Sequence, residues 1–223
     1  MPLAVERLEL GPIATNCYLV RSDPAAVEAV VVDPSGPAAD IRLRLASLGA
    51  QCAAILVTHG HWDHLLGVAD LAEGTGAPVH MPEGERLLLE SPSSFTPPGI
   101  PIRAWTPEVT VRGGEVLELA GITFRVLAVP GHSPAHVAYL ADGCAFSGDV
   151  LFFGSVGRTD LPGADWATLL GSIRELVGAG SPDTVVFPGH GPATTLGAEL
   201  ASNPFLDELR AEQESAGSEP PAA

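Results

Sequence analysis

Five of the seven histidines in the chain stand in a pattern that metal chemistry explains and core packing does not. The run from Thr58 to His64 reads THGHWDH and is followed by three short segments, Gly131-His132, Gly148-Asp149 and Gly189-His190. Together they supply five imidazoles and two carboxylates, which are ligands that zinc takes in catalytic sites. Such a set is large enough to hold two metal ions with one position left open for water. The sequence therefore predicts a dinuclear metal site.

The spacing divides these ligands between two neighbouring positions. His59 and His61 are two residues apart, so on an extended segment they face the same side and can bind one ion together. Asp63 and His64 begin a helix and face the neighbouring position. Each remaining ligand follows a glycine near a strand end, where the backbone can bend sharply. The expected first site is His59, His61, His132 and Asp149, and the expected second site is Asp63, His64, His190 and Asp149, with Asp149 bridging the two.

The expected chemistry is hydrolysis. Two divalent ions about 3.5–4 Å apart acidify a shared water and leave a hydroxide at neutral pH. We expect this hydroxide to be the nucleophile and Asp63 to act as a catalytic residue that orients it, so that no serine or cysteine nucleophile is needed. Zinc is the expected ion, with iron or manganese as alternatives.

Two histidines and one arginine have other predicted roles. His80 and His136 lack the spacing of the other five, and we expect them to be structural or to support the ligands. Arg158 lies in the segment after Asp149 and has two alternative roles. It forms a salt bridge with Asp160 that fixes their loop, or it binds an anionic group of the substrate.

Composition excludes some partners. The net charge is −16, and all 11 basic residues are arginines, so we expect no basic patch that could bind nucleic acid. Three cysteines without a close pair favour a reducing compartment. The N-terminus lacks the features of a signal peptide, and no apolar run approaches the ~20 residues that span a bilayer. The sequence thus predicts a cytoplasmic protein without a membrane partner, and it carries no signal for the oligomeric state.

Hydrophobic patterning divides the chain into alternating strands and helices. A length of 223 residues with 46% hydrophobic content favours one domain over residues 1–212, followed by a disordered tail over 213–223. The five prolines between residues 91 and 107 predict a surface loop, a candidate border of the active site. Strands are predicted over residues 16–20, 27–32, 53–57, 137–140, 145–146 and 184–187 and within 116–129. Helices are predicted over residues 38–48, from 65 to a stop at Gly74, and over 165–176.

The motifs THGHWDH, PGHS, FSGD and FPGHG resemble those of the metallo-β-lactamase superfamily. The resemblance runs from Asn16 to Phe205. Within the superfamily, GSVGRTDLPG at residues 154–163 and the segment 189–205 most resemble short glyoxalase II-like hydrolases. The resemblance implies an α/β fold, a four-layer αβ/βα sandwich of two mixed β-sheets flanked by helices, with the metal site at one edge. It also implies ligand roles that match those expected from spacing.

The leading functional interpretation is hydrolysis of a small acyl thioester such as S-lactoylglutathione to an acid and a thiol. Full-length glyoxalase II has an additional helical domain whose basic residues bind glutathione. Only about twenty residues follow Asn203 here, and the chain has no lysine, so those contacts cannot be transferred. The acyl group and the thiol carrier therefore stay open.

Other functions share parts of this ligand set. Related persulfide dioxygenases resemble the chain in the early histidines and the GRTD segment, but they use one iron bound by two histidines and an aspartate. Lactone hydrolysis on the same dinuclear site is a further alternative, whereas the acidic charge opposes phosphodiester substrates. β-Lactam hydrolysis is disfavoured, because lactamases with this His/Asp start commonly have a cysteine in place of Asp149 or lack the bridging carboxylate. The complete ligand set argues against a non-catalytic scaffold.

Overall fold

The computed structural model describes residues 2–217. Within them, the strands are β1 Ala4–Leu10, β2 Thr15–Arg21, β3 Glu28–Val32, β4 Gln51–Leu56, β5 Val79–Pro82, β6 Val109–Val111, β7 Val116–Leu119, β8 Ile122–Ala128, β9 Val137–Ala141, β10 Cys144–Gly148, β11 Leu151–Phe152, β12 Ser155–Val156, β13 Val185–Pro188 and β14 Thr194–Thr195. The helices are α1 Ala38–Ser47, α2 Trp62–Leu65, α3 Val68–Thr75, α4 Arg86–Glu90, α5 Trp166–Ala179, α6 Leu196–Ser202 and α7 Asp207–Gly217. Short 3-10 turns lie at Glu83–Glu85, Pro92–Ser94 and Pro204–Leu206.

Two six-stranded mixed sheets form the centre of the molecule. The first has the order β1-β2-β3-β4-β5-β6, antiparallel at the β1 end and parallel from β3 onward. The second has the order β14-β13-β10-β9-β8-β7, in which only β13 and β10 are parallel neighbours. Strands β11 and β12 form a separate hairpin.

Three apolar clusters define four layers. The cluster between the sheets joins Val30 and Leu56 of the first sheet to Phe124 and Tyr139 of the second. A second cluster packs α1 and α3 on the outer face of the first sheet, and a third packs α5, α6 and α7 on the outer face of the second. The order is thus helix, sheet, sheet, helix, which confirms the predicted α/β sandwich.

The sheets are joined at the edge where several strands end. The amide of Asn16 donates to the carbonyl of Gly189 at 2.7 Å, and that of Val137 donates to the carbonyl of Thr58 at 3.0 Å. The buried hydroxyl of Tyr139 also donates across the interface to the carbonyl of Val57, at 2.9 Å. These bonds hold the strand ends of both sheets at one shared edge.

The structure corrects several sequence predictions. The predicted stop at Gly74 is wrong, because α3 continues to Thr75 and Gly76 caps it in the left-handed conformation, with φ of +72°. The elements that were not predicted are strands β1, β5, β6, β11, β12 and β14 and helices α4, α6 and α7. The predicted disordered tail overlaps the last turns of α7, and residues 218–223 lie outside the described residues, so the division at residue 212 stays a prediction. Among residues 2–217, none of the helices has the length and apolar character needed to cross a bilayer.

Candidate metal centre

All seven expected ligands lie at the edge where the two sheets meet. His59 and His61 follow β4, and Asp63 and His64 lie in α2. His132, Asp149 and His190 follow β8, β10 and β13, whose carboxyl ends share one edge of the second sheet. Apart from His61 and His190, which are partly exposed, these side chains are buried.

Three imidazole nitrogens converge at the expected first site. Nε2 of His59 lies 3.0 Å from Nδ1 of His61, which lies 2.8 Å from Nε2 of His132. On the far side of its ring, Nδ1 of His132 lies 2.9 Å from the carbonyl oxygen of Arg158. Because a carbonyl only accepts, Nδ1 carries the proton in the neutral ring, and Nε2 presents a lone pair to the other two rings. A cation at the point where the three nitrogens converge fits this arrangement.

The expected second site lies beside the first. Oδ2 of Asp63 is 3.3 Å from Nε2 of His64 and 3.3 Å from Nε2 of His190. Oδ2 of Asp149 is 3.5 Å from Nε2 of His132 and also 3.5 Å from Nε2 of His190. Asp149 therefore lies between the two clusters, where a bridging ligand has to lie.

Among the seven expected ligands, all within the described residues, two buried atoms have no hydrogen-bond partner. They are Nε2 of His64 and Oδ1 of Asp149, which lie 3.4 Å apart. Leaving a buried polar atom unpaired costs about 1–3 kcal/mol. Metal coordination would satisfy both atoms, so the donor set fits two divalent ions better than it fits a hydrogen-bonded cluster.

The pKa values of the histidines differ between the two halves of the site. Burial, followed by the charge of His64, lowers the pKa of His59 well below its usual value, and burial with its neighbours lowers that of His61 to about 4. Burial opposes a charge on His190 as well, but hydrogen bonds to the carboxylates of Asp149 and Asp63 raise the pKa of His190 to about 9. Burial likewise opposes a charge on His64, and three surrounding carboxylates raise its pKa well above the usual value. The lowered pKa values thus favour the neutral imidazole at His59 and His61, whereas His64 and His190 form imidazole–carboxylate pairs in the second site.

Asp33 supports both halves and was missed by the sequence reasoning. Its Oδ2 lies 2.9 Å from Nδ1 of His64 and accepts the hydroxyl proton of Thr58 at 2.7 Å, while its Oδ1 accepts the amide of Thr58 at 2.8 Å. This carboxylate orients His64 so that Nε2 faces the second site. The position of Asp33 in the sequence is the signal that could have identified it. Asp33 directly follows β3, the parallel neighbour of β4, so it ends up beside the ligands that follow β4.

A second supporting contact comes from His136. Its Nε2 accepts the amide proton of Asp149 at 3.1 Å, and its ring stacks on His59 with centroids 4.5 Å apart. His80 is buried in β5. Neither His80 nor His136 belongs to a cluster of possible metal ligands in the part of the chain that the structure describes.

Glycines let the ligand loops approach one another closely. A Cβ atom on Gly189 would lie 2.0 Å from Oδ1 of Asp149, and one on Gly157 would lie 1.9 Å from the carbonyl oxygen of Asp149. Gly148 has φ of +50°, a conformation that suits glycine. Gly148 is thus needed for its backbone conformation, and Gly157 and Gly189 are needed because a side chain at either position would collide with Asp149.

Arg158 forms a salt bridge within its own loop. Its Nε and Nη2 atoms each donate to an oxygen of Asp160 at 2.7 Å, and both side chains are largely exposed. This pair is the loop-fixing alternative expected from the sequence. A role for Arg158 in substrate binding stays a prediction.

Comparisons with known proteins identify the family. Residues 10–190 match the metallo-beta-lactamase superfamily. The chain is 36% identical over 209 residues to hydroxyacylglutathione hydrolase GloC of Haemophilus influenzae, a match that covers 91% of this chain and 98% of the relative.

Solved structures show the same relationship. The BLEG-1 B3 metallo-beta-lactamase superposes with a TM-score of 0.85 at 38% identity, covering 92% of this chain and 100% of that one. TTHA1623 in a di-iron-bound form superposes with a TM-score of 0.70 at 38% identity, covering 90% and 100%. ETHE1 from Myxococcus xanthus superposes with a TM-score of 0.75 at 26% identity, covering 98% and 92%. These matches agree with the four-layer sandwich, and they confirm the resemblance found in the sequence. The chain therefore belongs to the metallo-beta-lactamase superfamily of metallo-hydrolases.

Proposed function

We propose that this protein hydrolyses small acyl thioesters, such as S-lactoylglutathione, with two bound divalent metal ions. The observation that carries the proposal is the pair of ligand clusters with Asp149 between them, 3.5 Å from a nitrogen of each. The relationship to a hydroxyacylglutathione hydrolase supports a thioester as the bond that is cleaved.

When bound, the two ions would acidify a water and polarise the thioester carbonyl. His59, His61 and His132 would hold the first ion, and Asp63, His64 and His190 the second, with Asp149 shared. Zinc suits imidazole and carboxylate ligands, and so does iron. The di-iron form of TTHA1623 supports iron as the alternative.

The protein's own groups would position the reactants. Thr15 donates its hydroxyl proton to Oδ2 of Asp63 at 2.8 Å, which restrains the rotation of this carboxylate. In that position Asp63 would orient the attacking water as well as bind the second ion. The leaving thiolate needs no proton from a protein acid, because a thiol has a pKa of only about 8.5.

The principal alternative is persulfide dioxygenation on a single iron, and the likeness to ETHE1 supports it. The second-site residues favour the hydrolase. His64 and His190 both direct Nε2 at the carboxylate of Asp63, and the three side chains form a second ligand cluster. An enzyme that uses a single iron would have no use for this second cluster. β-Lactam and lactone hydrolysis are further candidates, and the likeness to BLEG-1 makes β-lactams worth assaying despite the sequence argument against them.

The test combines metal analysis with two assays. We expect about two zinc or iron ions per chain and turnover of S-lactoylglutathione, because both ligand clusters are complete. The same preparation should show no persulfide-dependent oxygen uptake. A single iron per chain with persulfide-dependent oxygen uptake would reject the hydrolase.

The variant His190→Ala sharpens the comparison. Removing this second-site ligand should reduce thioester hydrolysis by orders of magnitude, since the second ion is lost. A dioxygenase that uses only the first-site histidines and Asp149 would retain its oxygen uptake in the same variant. A parallel assay with a β-lactam distinguishes the third class.

A further inference from the structure

Glu85 is a buried carboxylate outside both ligand clusters. It ends the 3-10 turn Glu83–Glu85 that follows β5 and is only 2% exposed. Its oxygens accept three hydrogen bonds, from the amide of Gly60, the hydroxyl of Ser133 and, at 2.9 Å, the amide of Ala135. A buried charge is costly unless it is well hydrogen-bonded. The three hydrogen bonds therefore indicate that this carboxylate serves to hold the segments that donate to it.

The donors to Glu85 belong to the two loops that carry the first-site histidines. Gly60 lies between His59 and His61, whereas Ser133 directly follows His132. The two loops are far apart in sequence and follow strands of different sheets. A single carboxylate therefore connects the backbone segments whose three ring nitrogens have to converge.

The contact at Gly60 leaves little freedom for adjustment. A Cβ atom at Gly60 would lie 2.4 Å from Cδ1 of Leu88 and 3.1 Å from Oε2 of Glu85. The His59–His61 turn thus packs against Leu88 of α4, and the amide of Gly60 faces the carboxylate of Glu85.

We propose that Glu85 is a positioning residue that sets the geometry of the first metal site by clamping the His59–His61 turn to the His132 loop. The inference rests on the metal centre of the proposed function and not on the identity of the substrate. Loss of the clamp would let the two loops separate, so the three nitrogens would bind an ion more weakly.

The variant Glu85→Gln isolates this role because it keeps the size of the side chain. An amide has one accepting oxygen and one donating nitrogen. The hydroxyl of Ser133 can turn to accept from an amide nitrogen, but the backbone N–H groups of Gly60 and Ala135 can only donate. In either orientation of the introduced amide, one of these two N–H groups therefore loses its acceptor, which weakens the clamp on one loop. The matched control is Glu83→Gln in the same turn, since the partly exposed side chain of Glu83 hydrogen-bonds only to the exposed side chain of Arg112 in the described residues.

The experiment measures Co(II) binding in the His190→Ala background, where the second site is disabled. We expect Glu85→Gln to weaken Co(II) binding by about 10–100-fold, the range found when partners that orient metal ligands are lost. The visible spectrum of the bound ion should also change, while Glu83→Gln should leave affinity and spectrum unaltered. A purely structural role would lower the melting temperature of the metal-free protein without changing the affinity, and that result would overturn the proposal.

Ser133→Ala provides a second, milder variant if Glu85→Gln does not fold. It removes one donor from the clamp and should weaken Co(II) binding in the same direction, but less. Unchanged affinity and spectrum in Ser133→Ala would then overturn the proposal. If the otherwise unmodified protein binds no metal at all, the proposed function fails as well, whereas normal two-metal binding with an unaffected Glu85→Gln variant rejects only the clamp.

Discussion

At the scale of single residues, two of the expected ligands are oriented by a partner on the far side of the imidazole ring. The carbonyl of Arg158 directs His132, and the carboxylate of Asp33 directs His64. Ligand types and spacing were sufficient to predict which histidines come together, because only certain side chains bind metals. The carbonyl of Arg158 could not be predicted in the same way, because every residue has a backbone carbonyl. The role of Asp33 is predictable only once β3 and β4 are recognised as parallel neighbours, because Asp33 directly follows β3.

The position of Asp149 between the clusters leads to a prediction about metal occupancy. Asp149→Ala should lower the occupancy of both sites, because its carboxylate lies 3.5 Å from a nitrogen of each. His190→Ala should mainly empty the second site. Metal analysis of dialysed protein measures both effects, with His80→Ala as the control that keeps its metals. Equal losses from the Asp149 and His190 variants would contradict the bridging assignment.

At the scale of elements, the site depends on strand ends and on the glycines that follow them. The carboxyl ends of β3 and β4 meet those of β8, β10 and β13 at one edge. Short ligand loops must pass one another there within van der Waals distance. Among the glycines that directly precede a ligand, Gly189 is the closest case, because its α-carbon faces Oδ1 of Asp149 and the ring of His64.

Gly189→Ala should therefore impair metal binding without unfolding the protein. The added methyl group would lie 2.0 Å from Oδ1 of Asp149 and 2.7 Å from Cε1 of His64, so both ligands must move. We expect metal affinity to fall about tenfold or more, as when ligand orientation is lost. Gly171→Ala in α5 is the control, since nothing lies within 4 Å of its added carbon and the helix should gain up to about 1 kcal/mol. Chelator competition gives the affinity and circular dichroism gives the fold; normal metal binding by Gly189→Ala would refute the packing argument.

Elements with strong patterning were predictable from the sequence, and weakly patterned ones were not. β2 is buried along its whole length and α5 carries a regular apolar face, so both were predicted to within a few residues. β5 and β6 have four and three residues, too few to show a period, and they exist because parallel neighbours complete the sheet. Glu85 was missed for the same reason. It lies in a short polar turn after β5, and only the tertiary fold brings it to the ligand loops.

At the scale of the whole molecule, the apolar clusters include groups that ionise only when the chain unfolds. Cys17 and Cys52 are buried in the cluster beneath α1 and α3. Tyr18 and Tyr139 are buried between the sheets. Burial raises the pKa of Cys52 to about 12, and it raises the pKa values of Cys17 and both tyrosines above their usual ranges. Each of these groups stays neutral in the folded protein at a pH where the unfolded chain loses the proton.

The free energy of unfolding should consequently fall as the pH rises above the unfolded-state pKa of a thiol, about 8.5. The sign follows from proton counting: between the unfolded and folded pKa values the unfolded chain binds fewer protons, so a rise in pH favours unfolding. Well above that lower pKa, each buried thiol lowers the free energy of unfolding by about 1.4 kcal/mol per pH unit.

Cys17→Ala should lose stability at neutral pH because it creates a cavity, but its stability should decline less steeply at alkaline pH. The partly exposed Cys144 is the matched control, because its pKa is raised less by burial, and Cys144→Ala should change the slope less. Denaturant unfolding in the presence of a reductant, from about pH 8 to about pH 10.5, measures all three proteins. Parallel curves for the unmodified protein and Cys17→Ala would show that the Cys17 thiol is not kept neutral by the fold.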